Sequence, residues 1–191
     1  IFIISLSAIL IVYCLGAFAI PLMDVDAAQY ASISREMLEK QSYLQLFDLH
    51  ADYLDKPPML FWLSALSMKV FGNYDWAYRI PSLLFLGIAL FSTFHFAKLY
   101  YHITTARLAT LMLASSQAFF LIAHDVRTDT MLVGWVMAAI CAIAYWTIQK
   151  KHTYFFIAVI AIAGGMMTKG PIALVVPILC FVPEWFCKKD W

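Results

Sequence analysis

Six strongly apolar segments follow one another along this chain: Ile1 to Leu22, Ile80 to Ala97, Leu108 to Ala123, Thr130 to Ile148, Tyr154 to Thr168 and Ile172 to Phe186. A helix that crosses a hydrocarbon layer of about 30 Å needs about 20 such residues, with a range of roughly 17 to 25. Inside lipid, each backbone N–H and C=O must find its partner within the segment. Several of the six are short, and tryptophans such as Trp135, Trp146 and Trp185 can extend them into the interface. Hydrophobic residues make up 63% of the chain and charged residues only 13%, against about 25% charged in soluble domains. The expected fold class is all-α: a polytopic membrane protein with about six transmembrane helices.

Span parity then divides the connections into two sets. Lys98 to Arg107, Lys150 to His152 and Lys188 to Lys189 share one side, whereas 23–79, His124 to Asp129 and Lys169 to Pro171 share the other. Six Lys and Arg residues lie on the first side and seven on the second, so their totals decide nothing. Short turns decide the orientation, because positively charged short turns stay cytoplasmic, and those of the first side are basic and almost free of acid. The acid-rich side is expected to face outward. A net charge of +1 without a basic, aromatic-interleaved stripe gives no reason to invoke nucleic acid. Cys14, Cys141, Cys180 and Cys187 show neither CxxC spacing nor a disulfide framework. Ile1 opens the chain already within an apolar run, so residues 1–191 read as the N-terminal part of a longer transmembrane domain.

The long outer connection, 23–79, has its own pattern. Tyr30, Ala31, Ser34, Met37 and Leu38 recur at helical spacing, with Arg35, Glu36, Glu39 and Lys40 opposite them. Pro57 and Pro58 suit the first turn of a second helix and Gly72 its end. Helices over about Ala27 to Lys40 and Pro57 to Phe71 are too short to span, and are expected to lie at the interface.

Ionisable groups at membrane depth tend to persist where they line a wet cavity or bind charge. Asp24, Asp26, Asp55, Lys56, Arg127, Asp129 and Lys169 all fall at the outer ends of apolar segments. Each also has a structural reading. Asp26 can cap the next helix with Gln29 as reciprocal partner. Asp55-Lys56 can be a surface ion pair, although Pro57 and Pro58 stiffen the backbone and present the Lys56 ammonium as a point charge suited to phosphate. Thr128 or Asp129 can cap the following span, and Thr168-Lys169-Gly170-Pro171 can be a turn alone. The five histidines provide no paired metal-binding face.

The ordered set DVDAAQYASISREML (Asp24 to Leu38), DKPPMLFWL (Asp55 to Leu63), RIPSLL (Arg79 to Leu84), RTDTML (Arg127 to Leu132) and TKGPIAL (Thr168 to Leu174) closely resembles bacterial GT-C membrane glycosyltransferases related to protein O-mannosyltransferases and aminoarabinose transferases. The resemblance implies a polyprenyl-phosphate-linked sugar donor held by membrane lipids, a lipid or protein acceptor with lipid A among the former, and a chamber facing the periplasm from the bacterial inner membrane. It implies Asp26 as general base on the acceptor hydroxyl, Asp129 as the second cavity acid, and Lys56 as the cation on the leaving phosphate. Asp24, Tyr30, Arg79, Arg127 and Lys169 would contact substrate. Asp55 occupies a position that is commonly Glu in the family and can lie near a divalent metal. One departure stands out: the first motif often reads Asp-Glu, and here Ala27 follows Asp26.

The chemistry suits these residue types. Sugar transfer requires proton removal from a weak nucleophile and stabilisation of charge on a departing phosphate, tasks for a carboxylate and a fixed cation. A transporter or channel using the outer acids as a vestibule, or a silent membrane subunit, are the competing readings. Transport calls for ionisable groups near mid-bilayer, which the middles of these segments lack.

Overall fold

The computed structural model describes residues 1–22, 25–49 and 51–188, without the side chains of residues 184, 185, 187 and 188. Asp24 lies outside the described residues. The chain forms α1 (Phe2–Ala19), α2 (Val25–Lys40), a minimal antiparallel hairpin of β1 (Phe47–Asp48) and β2 (Ala51–Asp52), α3 (Met59–Phe71), α4 (Asp75–Tyr100), α5 (Ile103–Ala114), α6 (Gln117–His124), α7 (Thr128–Gln149), α8 (His152–Lys169) and α9 (Ile172–Lys188). The fold is helical, as expected, with a two-stranded hairpin that the sequence pattern does not reveal.

Four helices are long and apolar enough to cross a membrane: α1, α4, α7 and α8. The expected single span at Leu108 to Ala123 is instead a bent pair, α5 and α6, turned by 53° at Ser115-Ser116, and it makes a fifth crossing if the pair acts as one. Serine pairs are among the recognised causes of sharp bends, since their hydroxyls compete for helical carbonyls. The Ser115 hydroxyl bonds back to the Met112 carbonyl at 3.4 Å. The sixth expected span falls on α9, Ile172–Lys188, a helix of 17 residues, about 26 Å at 1.5 Å per residue. The protein is a multi-pass membrane protein, with four such spans among the described residues, or five with the bent pair.

Helices α4, α7 and α8 form the centre, with α1, α5 and α6 on one flank and α9 against α7 and α8. Small residues allow the close approach, as they do wherever lipid supplies no hydrophobic drive between helices. A Cβ on Gly134 would stand 2.8 Å from the Phe85 carbonyl oxygen, and one on Gly164 would stand 2.6 Å from the Trp135 ring. Gly165 likewise abuts Ala173. These contacts set how α4, α7, α8 and α9 meet.

Helices α2 and α3, of 16 and 13 residues, span only about 24 and 20 Å and cover one end of this centre. Their shared core takes Tyr30, Ile33 and Met37 from α2, Leu60, Phe61 and Ala65 from α3, Tyr78 and Phe85 from α4, Val126 from the turn before α7 and Met131 from α7. Tyr30, Ala31, Ser34 and Met37 are buried as the spacing predicts, while Arg35 and Glu39 are exposed. Glu36, expected on the polar face, is buried and pairs with Lys40 at 2.7 Å. Lys40 also lies 4.0 Å from the Phe47 ring centroid, which ties the end of α2 to the hairpin.

Pro81 lies inside α4 and cannot donate to the carbonyl of Ala77, one helical turn earlier. Ser67 of α3 donates its hydroxyl to that same carbonyl at 2.5 Å. The proline-freed acceptor thereby becomes a link between α3 and α4.

Candidate active site

The candidate residues come from the starts of α2 and α7, the end of α8 and the segment between the hairpin and α3. Asp26 occupies the first turn of α2 and Asp129 the first turn of α7, where a carboxylate is favoured by the positive end of the helix dipole. Neither acts as expected for a cap. Helix α2 already begins at Val25, and Gln29, the expected reciprocal partner of Asp26, instead donates to Asp48 Oδ2 at 2.6 Å. Arg127 is the N-cap residue of α7 and makes no side-chain capping bond. Asp26 is exposed and Asp129 partly so.

A pair of phenols links these carboxylates. Tyr30, one turn along α2 from Asp26, is buried to 6% exposure, and Tyr53, beyond the hairpin, to 8%. They share a side-chain hydrogen bond. Desolvation, with the Asp26 carboxylate next, pushes the Tyr30 phenol above its ordinary value; Asp129 adds to this and Arg127 opposes it. Desolvation also raises Tyr53 well above the ordinary tyrosine range, with Tyr30, Asp55 and Asp48 contributing. Both phenols stay protonated at neutral pH. Asp26, Arg127 and Asp129 therefore lie within electrostatic reach of one buried hydroxyl, and Asp55 within reach of its partner.

Lys169, the last residue of α8, forms an ion pair with Asp129, joining the end of α8 to the start of α7. Arg127 lies 3.8 Å from Asp125. Lys56 is half-buried between exposed Asp55 and the two prolines. Among the described residues, no group of three or more His, Cys, Asp or Glu side chains is arranged to hold a metal ion. Asp55 belongs to no such group among the described residues.

The turn before α7 is held in an unusual conformation. Val126 has φ +51° and is fully buried; for a β-branched residue this left-handed conformation is a genuine outlier. The Asp125 and Arg127 N–H groups bond back to the Leu121 and Ile122 carbonyls at 3.0 and 3.3 Å. This is a helix-ending motif that ordinarily carries glycine at the left-handed position. Burial of the Val126 side chain in the α2–α3 core holds it there. Such strain concentrates where surrounding structure overdetermines a functional segment.

Arg79, expected to bind substrate, is 1% exposed, with Nε donating to the His124 carbonyl at 2.9 Å and Nη1 to the carbonyls of Ala17 and Ile20. Those nitrogens are committed to main chain. Asp24, also expected to contact substrate, lies outside the described residues. Tyr53 and Val126 were missed by sequence reasoning. Tyr53 lies between the short hairpin and Asp55-Lys56, where no periodicity reveals it, and a positive φ at valine has no local signature.

Residues 55–187 match the sequence profile of the dolichyl-phosphate-mannose-protein mannosyltransferase family. The chain is 29% identical over 179 residues to the undecaprenyl phosphate-alpha-4-amino-4-deoxy-L-arabinose arabinosyl transferase of Yersinia pestis (strain Pestoides F), covering 91% of this chain and 32% of that protein. The protein of the same description from Photorhabdus laumondii is 29% identical over 174 residues, covering 88% and 31%. The chain thus spans about a third of the length of these curated relatives. Its fold matches crystal structures of ArnT from Cupriavidus metallidurans in the apo state and bound to undecaprenyl phosphate, with TM-scores of 0.88 and 0.85. Both are 20% identical, and each match covers 99% of this chain and 36% of the other. Carrying that fold and a profile match across most of its length, the chain belongs to the dolichyl-phosphate-mannose-protein mannosyltransferase family.

Proposed function

We propose that this chain is the N-terminal part of a membrane glycosyltransferase that moves a sugar from a polyprenyl-phosphate donor to the hydroxyl of a lipid or protein acceptor. The observation that carries this reading is the gathering of Asp26, Asp129, Arg127 and Asp55 around the Tyr30–Tyr53 pair. Acids and a base from three separate stretches of sequence meet at the end of the bundle covered by α2 and α3. The names of the relatives favour undecaprenyl phosphate as carrier and an amino-deoxy pentose as the sugar. The ArnT structure with undecaprenyl phosphate supports the same carrier.

In this reading Asp26 accepts the proton of the acceptor hydroxyl as its oxygen attacks the anomeric carbon. The bond from that carbon to phosphate breaks, and Lys56 balances the charge that grows on the departing phosphate oxygen. Tyr30, which stays protonated at neutral pH, can donate to a sugar or phosphate oxygen. Asp129 orients substrate while Lys169 holds it in place, and Arg127 lines the same opening. The site faces the periplasm from the bacterial inner membrane, where short basic turns orient the opposite ends of the spans inward.

Incubating the full-length protein with polyprenyl-phosphate sugars and a membrane lipid extract, followed by mass spectrometry, tests the reading. A glycosylated lipid or protein, absent with the Asp26→Asn variant, is the expected outcome. Transport of the donor without any glycosylated product would overturn it in favour of a transporter.

A further inference from the structure

A guanidinium as deeply buried as that of Arg79 requires hydrogen-bond partners to offset its lost hydration. Those it has are unusual in origin. Ala17 and Ile20 lie at the end of α1 and His124 at the end of α6, so one side chain of α4 bonds to the closing carbonyls of two helices. Such carbonyls lack intrahelical donors and carry the negative end of the helix dipole. The two helix ends also touch directly: a Cβ on Gly16 would stand 2.6 Å from His124 Nε2, a nitrogen that itself lies 3.0 Å from the Tyr13 carbonyl oxygen.

Both clamped ends lead into helices that carry the candidate acids. The chain runs from Ile20 into α2, whose first turn carries Asp26, and from His124 through strained Val126 into α7, whose first turn carries Asp129. We propose that Arg79 is a positioning residue: by gripping the ends of α1 and α6 it fixes the separation of Asp26 and Asp129, without itself touching substrate. Lysine cannot replace it in full, because one ammonium lacks the rigid fork that reaches carbonyls in two directions. Its consequence for catalysis rests on the transferase reading above, whereas its consequence for geometry does not.

The test uses full-length protein in nanodiscs on a background lacking the native cysteines, with spin labels read by pulsed electron paramagnetic resonance. One pair, Ala28 on α2 and Ile172 beside the Lys169 that binds Asp129, reports the clamped separation; a second, Ile148 and Ile172, reports a body that Arg79 does not touch. All three positions are exposed. Arg79→Met should shift or at least double the width of the first distance distribution and leave the second unchanged, with Arg79→Lys intermediate. Gly16→Ala, which pushes the same contact apart from the α1 side, should broaden the first pair too. In transfer assays kcat should fall about 10-fold or more, with donor KM changing less than about 3-fold, as expected for misplacement on the ångström scale. An unchanged Ala28–Ile172 distribution in Arg79→Met would overturn the proposal. So would loss of both distributions in the Met and Lys variants alike, since Arg79 would then be a general folding residue. Altered distances in a protein that transfers no sugar would sink the transferase reading and leave the positioning role standing.

Discussion

Asp26 and Lys56 carry the two opposite demands of glycosyl transfer, and each can be separated from a structural role by a conservative change. Asp26→Asn keeps the shape of the first turn of α2 and removes the basicity. Turnover should fall by roughly 100-fold or more, while the yield and melting temperature of the purified protein stay close to wild type. Normal turnover would move the role to Asp129. For Lys56, a cation beside a phosphodiester helps most as charge accumulates on the leaving oxygen. Lys56→Met should therefore lower kcat more than it raises donor Kd, with Lys56→Arg recovering part of the loss because charge survives in altered geometry. Steady-state kinetics with a purified lipid-phosphate sugar would decide; unchanged kcat in Lys56→Met would return the Asp-Lys-Pro-Pro motif to a role in starting α3. The tyrosine pair adds a pH dependence with a definite sign. Both phenols are raised in the folded protein, whereas the unfolded chain ionises near about pH 10. Above about pH 10 the folded state binds more protons than the unfolded one, so stability present below that pH is lost as pH rises toward the folded values. Melting temperatures between about pH 9 and about pH 11 should fall more steeply for wild type than for Tyr53→Phe; parallel slopes would refute the assignment.

Among the elements, α3 and α4 show how one unusual residue recruits another. Pro81 frees the Ala77 carbonyl and Ser67 binds it, so the proline is tolerated inside a helix and also selects its neighbour. Ser67→Ala should cost about 1 to 3 kcal/mol, the range for orphaning a buried polar group. The cost should shrink in a Pro81→Ala background, where the restored N–H satisfies the carbonyl. A double-mutant cycle measured by thermal denaturation in detergent would show this coupling; fully additive effects would mean that Ser67 does not act through Ala77. The bent α5–α6 pair is a second case in which local chemistry overrides pattern. Apolar residues run almost continuously from Leu108 to Ala123, and hydropathy alone joins them, yet the Ser115-Ser116 pair breaks the ladder.

At the scale of the whole molecule, the arrangement makes a statement about sidedness. Because α4 and α7 both begin beneath the α2–α3 cover and α8 ends there, the turn at Lys150 to His152 lies at the far end of the bundle. A cysteine at Gln45 should be labelled by a membrane-impermeant reagent from the periplasm, and one at His152 only after the inner membrane is opened. The reverse pattern would overturn the orientation and place the proposed chamber in the cytoplasm. How much of this is legible in the chain itself depends on the kind of physics involved. Apolar run length and helical period are local, additive properties, so the sequence alone determined a helical membrane protein, two short helices in the first loop and the set of ionisable residues at one end. Helix ends were less secure: Asp26 and Asp129 lie one residue inside their helices rather than at the caps, because capping depends on which side chain wins a competition among neighbours. The bend in α5–α6, the Tyr53–Tyr30 bond, the Ser67–Ala77 bond, left-handed Val126 and the redirection of Arg79 to the carbonyls of α1 and α6 were decided only by the tertiary structure. Each depends on a partner distant in sequence or on burial that overrides a local preference, and a buried hydrogen bond has no periodic signature from which it could be read.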